Sequence, residues 1–126
     1  METKRSPVKR VLIVDDEPHV TMTLSSVLET LGDAYVIDTT NTSHDVLARF
    51  QRDDYALMIT DYKMPGLDGI ELTKAVRAIS PQTNVILMTA YGDSALFEKM
   101  QGLHFDGFLD KPFTVAQLRT MVTQML

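Results

Sequence analysis

Short apolar runs alternate with longer amphipathic segments along the chain. Val11-Leu12-Ile13-Val14 has no polar position and stops at Asp15-Asp16. A short, β-branched, continuously apolar run reads as a strand buried on both faces. Ala56-Leu57-Met58-Ile59-Thr60 running into Asp61 reads the same way, as does Asn84-Val85-Ile86-Leu87-Met88 before Thr89. Tyr35-Val36-Ile37 predicts a shorter strand closed by Asp38-Thr39. The segment Phe105 to Leu109 is weaker, broken by Asp106 and Gly107, and runs toward Asp110-Lys111.

Helical spacing fills the intervals. Pro18 suits a first turn, Val20, Leu24, Val27, Leu28 and Leu31 follow on one face, and Gly32 is a stop. Thr42 or Ser43 caps a second helix with Val46, Leu47 and Phe50 inward; Asp68 caps a third with Leu72, Ala75, Val76 and Ile79 inward. Asp93 or Ser94 opens a fourth carrying Leu96, Phe97 and Met100, and Thr114 caps a fifth carrying Leu118, Met121, Val122 and Met125. Five strands and five helices in strict alternation predict an α/β fold: a doubly wound, five-stranded parallel sheet with helices on both faces. Right-handed crossovers favour the flavodoxin-like order 2-1-3-4-5.

Composition narrows the class. The 126 residues fit one domain, since domains commonly run roughly 100–150 residues. Residues 1–7 read as a polar tail and 8–126 as the domain, with no output domain expected after the fifth helix. No apolar run approaches the roughly 18 residues of a membrane span, and the N-terminus lacks the apolar core of a signal peptide. Cysteine is absent, which excludes disulfides, thiolate metal sites and cysteine nucleophiles and agrees with a cytoplasmic setting. A net charge of -5 argues against direct nucleic-acid binding. His19, His44 and His104 are scattered and read as surface residues; the methionines read as gap fillers of the core.

The strand ends carry the candidate chemistry. Open α/β sheets bind ligands beyond the carboxyl ends of their strands, at the point where strand order reverses. In the order 2-1-3-4-5 that point lies between strands one and three, so Asp15, Asp16 and Asp61 meet in one crevice. Thr89 and Lys111 end the next two strands. Any one such aspartate is an ordinary cap or loop residue; the coincidence of several strand ends is what requires explanation. Crowded carboxylates repel and need a cation. Oxygen donors without a convergent histidine set suit Mg²⁺, partly hydrated and completed by a phosphate oxygen. A backbone carbonyl just after Asp61 is a further donor. Together with the Lys111 ammonium and the Thr89 hydroxyl, these groups suit phosphoryl transfer, with Asp61 as the nucleophile that forms an aspartyl phosphate.

Four blocks carry a family resemblance: Val11-Leu12-Ile13-Val14-Asp15-Asp16-Glu17-Pro18, Asp61-Tyr62-Lys63-Met64-Pro65-Gly66-Leu67-Asp68-Gly69, Met88-Thr89-Ala90-Tyr91-Gly92 and Lys111-Pro112-Phe113. In this order and spacing, over about Lys9 to Leu126, the chain resembles the receiver domain of two-component response regulators. The resemblance implies that Asp61 is the phosphoacceptor, that Asp16 binds Mg²⁺ directly, and that Asp15 acts mostly through water. It implies that the Lys63 backbone carbonyl completes the metal shell, with Mn²⁺ as a substitute ion. It makes Thr89 the hydroxyl that moves toward the phosphoryl group, Lys111 its charge partner and Phe108 the aromatic switch, and it makes Lys111-Pro112 a cis peptide.

The implied partners are a sensor histidine kinase or a histidine phosphotransfer protein, an output partner or domain, and a phosphorylation-dependent dimer. The face of helix four, strand five and helix five would carry the signal, and slow autodephosphorylation would reset it, so the chain is not expected to be a turnover enzyme. Phe108 has no hydroxyl, so an inward state has no tyrosine-type hydrogen bond. His104-Phe105 replaces a frequent Gly-Ala pair, which makes His104 a candidate for left-handed backbone. Tyr91 is a candidate gate over Asp61 that slows hydrolysis. A haloacid-dehalogenase-type phosphatase would need Asp-x-Asp after strand one. A flavodoxin would need a phosphate loop there, and a P-loop nucleotidase its Gly-rich Lys-Ser/Thr motif. The alternative from another class is a docking module with the receiver fold that works without phosphorylation.

Overall fold

The computed structural model describes residues 8–90 and 96–126, with Phe97 in its backbone only. Residues 1–7, the gate candidate Tyr91, the cap candidates Asp93 and Ser94 and the Phe97 side chain lie outside the described residues. The elements run β1 (Lys9–Val14), α1 (Pro18–Glu29), β2 (Tyr35–Thr40), α2 (Ser43–Arg52), β3 (Leu57–Asp61), α3 (Gly69–Ile79), β4 (Asn84–Ala90), α4 (Leu96–Lys99), β5 (Gly107–Lys111) and α5 (Val115–Met125). All the strand pairings are parallel, and the sheet order is β2-β1-β3-β4-β5. The predicted architecture is therefore the observed one.

Side-chain alternation along each strand divides the core in two. Leu12 and Val14 of β1 join Met58, Val85 and Leu87 under α2, α3 and α4, where Val46, Phe50, Leu72, Val76 and Leu96 close the layer. Val11 and Ile13 join Leu57, Ile59, Ile86 and Met88 under α1 and α5, against Leu24, Leu28, Leu118 and Val122. The three central strands are apolar at consecutive positions because both of their faces are covered.

Hydrogen bonds at the helix starts fix where the chain re-enters the layers. Thr42 Oγ1 accepts from the Asp45 amide at 3.2 Å. Asp68 accepts from the Ile70 and Glu71 amides at 2.9 and 2.8 Å, while its own amide donates to Glu71 at 2.9 Å. Thr114 and Gln117 form the same reciprocal box. Two inward assignments do not hold. Ile79, expected on the inward stripe of α3, is 52% exposed, and Met22 on α1, expected with the other methionines to fill the core, is 69% exposed. In their place the buried faces take Thr21 and Thr73, whose hydroxyls donate to backbone carbonyls of the preceding turn, Pro18 O and Gly69 O.

The turn before β5 also differs from expectation. No described non-glycine residue, His104 included, has positive φ; Gly102 takes φ +78° instead, a conformation open to a residue without Cβ. His104 is exposed and pairs with Asp106 Oδ1 at 3.1 Å. Arg77 reaches from α3 to the Thr83 carbonyl (2.5 Å), the His104 carbonyl (3.0 Å) and Asp106 Oδ2 (2.9 Å). Asp106 also accepts from the Val85 amide at 2.8 Å. Burial would raise the Asp106 carboxyl, but the Val85 amide, Arg77 and His104 together hold it below its usual range.

Tyr55, just before β3, is 2% exposed. Its hydroxyl donates to Asp38 Oδ2 at 2.8 Å, beside an Arg10–Asp38 ion pair of 3.1 Å. Burial, with the Asp38 hydrogen bond second, pushes the phenol from 10.0 up to about 12. The folded protein thus holds this proton more tightly than the unfolded chain does. Its stabilisation is complete below pH 10 and is lost as pH rises toward about 12. Chemical denaturation of the wild type across this range should show that decline. Tyr55→Phe should lack it while being less stable at pH 7 by about 1 kcal/mol.

Candidate functional site

The carboxyl ends of β1 and β3 meet because those strands pair directly, Val14 opposite Thr60. Asp15 and Asp16 leave β1 at that edge, and Asp61 is the last residue of β3. One carboxylate oxygen from each lies within 4.8 Å of the others. Asp15 is fully buried, with Oδ1 accepting from the Glu17 amide at 2.9 Å and Oδ2 from Lys111 Nζ at 3.2 Å. Asp16 is exposed. Lys111 Nζ also lies 3.1 Å from Asp61 Oδ1, so one ammonium bridges two of the three acids.

Burial first, and the neighbouring Asp15 charge second, raise the Asp61 carboxyl above its usual range; Lys111 opposes both without cancelling them. Burial alone would lower Lys111, but Asp61 and Asp15 outweigh it and hold the ammonium protonated above its usual range. Three carboxylates around one ammonium leave excess negative charge. An all-oxygen set with one solvent-facing member fits a hard, partly hydrated divalent cation.

Several residues outside the predicted set position the site. Asn41, just after β2, donates to the Asp15 carbonyl at 2.9 Å and to buried Thr21 Oγ1 at 3.1 Å, tying the β1–α1 turn to β2. Ser43 Oγ donates to the Pro65 carbonyl at 3.3 Å and accepts from the Leu67 amide at 3.2 Å, bracing the loop after Asp61. Gly69 starts α3 hard against that strand end; a Cβ there would collide with the Asp61 carbonyl and come within 3.0 Å of Tyr62 Cα. None of these announces itself in the sequence, because each acts through a contact between separate loops.

Lys111 stands where the strand-end argument puts it, and the peptide to Pro112 is cis as the resemblance implies. Lys63, whose backbone carbonyl is the implied fourth donor, is exposed just past β3. Thr89 is 5% exposed at the end of β4, yet its hydroxyl is engaged elsewhere: Oγ1 donates to Asp110 Oδ1 at 2.8 Å. Thr89 and Asp110 are direct partners in the β4–β5 register. Phe108 is turned outward, 43% exposed, its ring centroid 5.6 Å from that of Phe105.

A parallel sheet of this order with a crevice of strand-end acids defines the CheY-like class of flavodoxin-like domains. Within it, the chain belongs to the response regulator receiver domain family, whose model matches residues 11–123; it is a receiver domain of two-component systems. It is 32% identical over 111 residues to the transcriptional regulatory protein TcrA of Mycobacterium tuberculosis, covering 86% of this chain and 42% of that protein. The chain thus spans less than half the length of that regulator. It is 29% identical over 119 residues to the sporulation initiation phosphotransferase F of Bacillus subtilis, covering 94% of each. Among solved structures, the response regulator TrrA of Thermotoga maritima in complex with Mg²⁺-BeF aligns with a TM-score of 0.81 at 32% identity, over 94% of this chain and 99% of that one.

The raised Asp61 carboxyl means that the folded state binds this proton more tightly than the unfolded chain. The resulting stabilisation is present below the ordinary carboxyl range and is lost as pH rises through it, leaving ionised Asp61 destabilising at neutral pH. Asp61→Asn should therefore raise the melting temperature by a few degrees in metal-free neutral buffer, and the gain should disappear at acid pH. Scanning calorimetry of both proteins across pH checks this.

Proposed function

We propose that the chain is one receiver domain, residues 8–126, that accepts a phosphoryl group on Asp61 from a phosphohistidine of a sensor kinase or histidine phosphotransfer protein. The observation that carries this reading is the convergence of Asp15, Asp16 and Asp61 with Lys111 Nζ 3.2 Å from Asp15 and 3.1 Å from Asp61. Mg²⁺ would be held by Asp16, Asp61 and the Lys63 carbonyl, with Asp15 acting mostly through water; the two internal hydrogen bonds on the buried Asp15 carboxylate support that division. When bound, the ion supplies neutralisation of the charge spread over the equatorial phosphoryl oxygens.

Asp61 acts as the nucleophile. A carboxylate oxygen forms the new P–O bond as the P–N bond to the donor imidazole breaks, and the imidazole nitrogen leaves with the bonding pair and takes a proton from solvent. Lys111 keeps Asp61 ionised and then pairs with a phosphoryl oxygen. The Thr89 hydroxyl donates to another, and the Phe108 ring turns inward. The face formed by α4, β5 and α5 thereby changes what it presents to an output partner. Water later cleaves the acyl phosphate and resets the domain. Among the described residues no helix is long and apolar enough to cross a membrane, and we assign the domain to the cytoplasm, where phosphodonor kinases present their histidines.

Incubation with acetyl phosphate followed by intact mass measurement tests the reading. The expected product is a single, base-labile phosphoryl adduct that requires Mg²⁺, is absent from Asp61→Asn and forms at least tenfold more slowly in Lys111→Ala, an order of magnitude set by loss of a charge-assisted contact to the transferring group. Absence of an adduct with acetyl phosphate and with phosphoramidate would overturn the assignment in favour of a phosphorylation-independent docking module.

A further inference from the structure

Thr89 carries a single hydroxyl proton, and in this structure Asp110 holds it. The Thr89 Oγ1 to Asp110 Oδ1 separation is 2.8 Å, a normal length for a hydroxyl donating to a carboxylate. The contact follows from register: the two residues pair across β4 and β5, so both side chains project from the same face of the sheet. Lys111, the next residue, points to the opposite face and is engaged with Asp15 and Asp61, so the ammonium bridge and the Asp110 contact are formed by different side chains. Asp110 itself is exposed, whereas Thr89 is buried. Release of the bond therefore returns the carboxylate to water at little cost, while the hydroxyl needs another acceptor.

The same two residues border an opening of about 260 Å³, with Leu96, Met100 and Phe108 forming the rest of its wall. Phe108 and Asp110 are two positions apart on β5 and share one face of the strand. In the same structure the Phe108 ring is 43% exposed at the border of this opening and lies against Phe105.

We propose that Asp110 is a positioning residue that competes with the phosphoryl group for the Thr89 hydroxyl, and so sets how readily the site at Asp61 takes up and keeps its charged ligand. The proposal rests on the reading of Asp61 and Thr89 given above and adds to it a resting-state acceptor. The exchange is one hydrogen bond for another: the Thr89 proton leaves a hydrated carboxylate and goes to a phosphoryl oxygen. A carboxylate at this position makes the resting state more favourable, and with it the outward Phe108. A residue without an acceptor there would leave the hydroxyl free to turn, and the domain would respond at lower phosphodonor concentration.

The test is a titration with beryllofluoride in the presence of Mg²⁺, followed by the ¹⁹F resonance of the bound species, on the wild type, Asp110→Ala, Asp110→Asn, Thr89→Ala and the double variant. Asp110→Ala should lower the half-saturating concentration about three- to tenfold, the scale of one hydrogen bond to a solvent-edge carboxylate. Asp110→Asn, which keeps an acceptor oxygen but no charge, should fall between the wild type and Asp110→Ala. In the Thr89→Ala background Asp110→Ala should change nothing, because the competition has lost its object. A gain of equal size in that background would overturn the proposal and assign the effect to charge repulsion alone. Identical titrations of wild type and Asp110→Ala would also overturn it, while leaving Asp61 as the ligand site. Absence of any fluoride complex on the wild type would remove the reading of Asp61 and the competition together. Thermal melts of each variant show whether it is folded; Asp110→Asn, closest to the native shape, keeps the comparison decisive if Asp110→Ala is poorly folded.

Discussion

One ammonium holds together the end of the sheet where the acids meet. Lys111 reaches from β5, separated from β1 by β3 and β4, and lies within 3.2 Å of both the buried Asp15 carboxylate and Asp61. Parallel strands deliver their carboxyl ends to the same edge, so a doubly wound sheet that ends its strands in aspartate concentrates negative charge by construction. A fully buried carboxylate without a partner would cost several kcal/mol. Lys111 offsets that cost, and with a single positive charge against three acids it leaves an excess of negative charge that suits a hard divalent cation. Both the persistence of the crevice and its receptiveness follow from that incomplete compensation.

Position in the two-layered core decides which parts of the edge can move. Asp15 is fixed by the Glu17 amide, by Lys111 and, through its carbonyl, by Asn41. Gly69 and Ser43 hold the loop beyond Asp61 from two sides. By contrast Thr89, Asp110 and Phe108 lie toward the β5 edge, where a hydroxyl–carboxylate bond joins the first two and Phe108 rests against Phe105. The acid cluster is thus set on the middle of the sheet, and the groups proposed to respond to it on the β4–β5 side.

The order of strands, both faces of the core and the acidic crevice were legible because each rests on local pattern. Continuous apolar runs mark central strands, and a strand-end acid needs only a strand to be placed. The caps Thr42, Asp68 and Thr114 were legible for the same reason. Ile79 was misplaced because helical spacing locates a stripe but not where the neighbouring layer stops, and Met22 because residue type alone does not say which face of α1 a methionine takes; threonines that return their hydroxyls to the helix backbone can occupy inward positions. Asn41, Ser43 and Asp110 were not legible at all. Their partners lie 26, 22 and 21 residues away in the chain, and only the finished register and loop packing bring them together. The left-handed position before β5 fell to Gly102 rather than His104 because glycine adopts it without steric penalty.

Arg77 anchors the opposite end of β4 and β5. Its guanidinium bonds to the Thr83 and His104 carbonyls and to Asp106, and Asp106 in turn holds the Val85 amide, so the amino ends of β4 and β5 are riveted together from α3. Thr89 and Asp110 lie at the far ends of those two strands. Any rearrangement started there swings about an anchored base, as a lever does about its pivot, and its travel is greatest at the rim where a partner would touch.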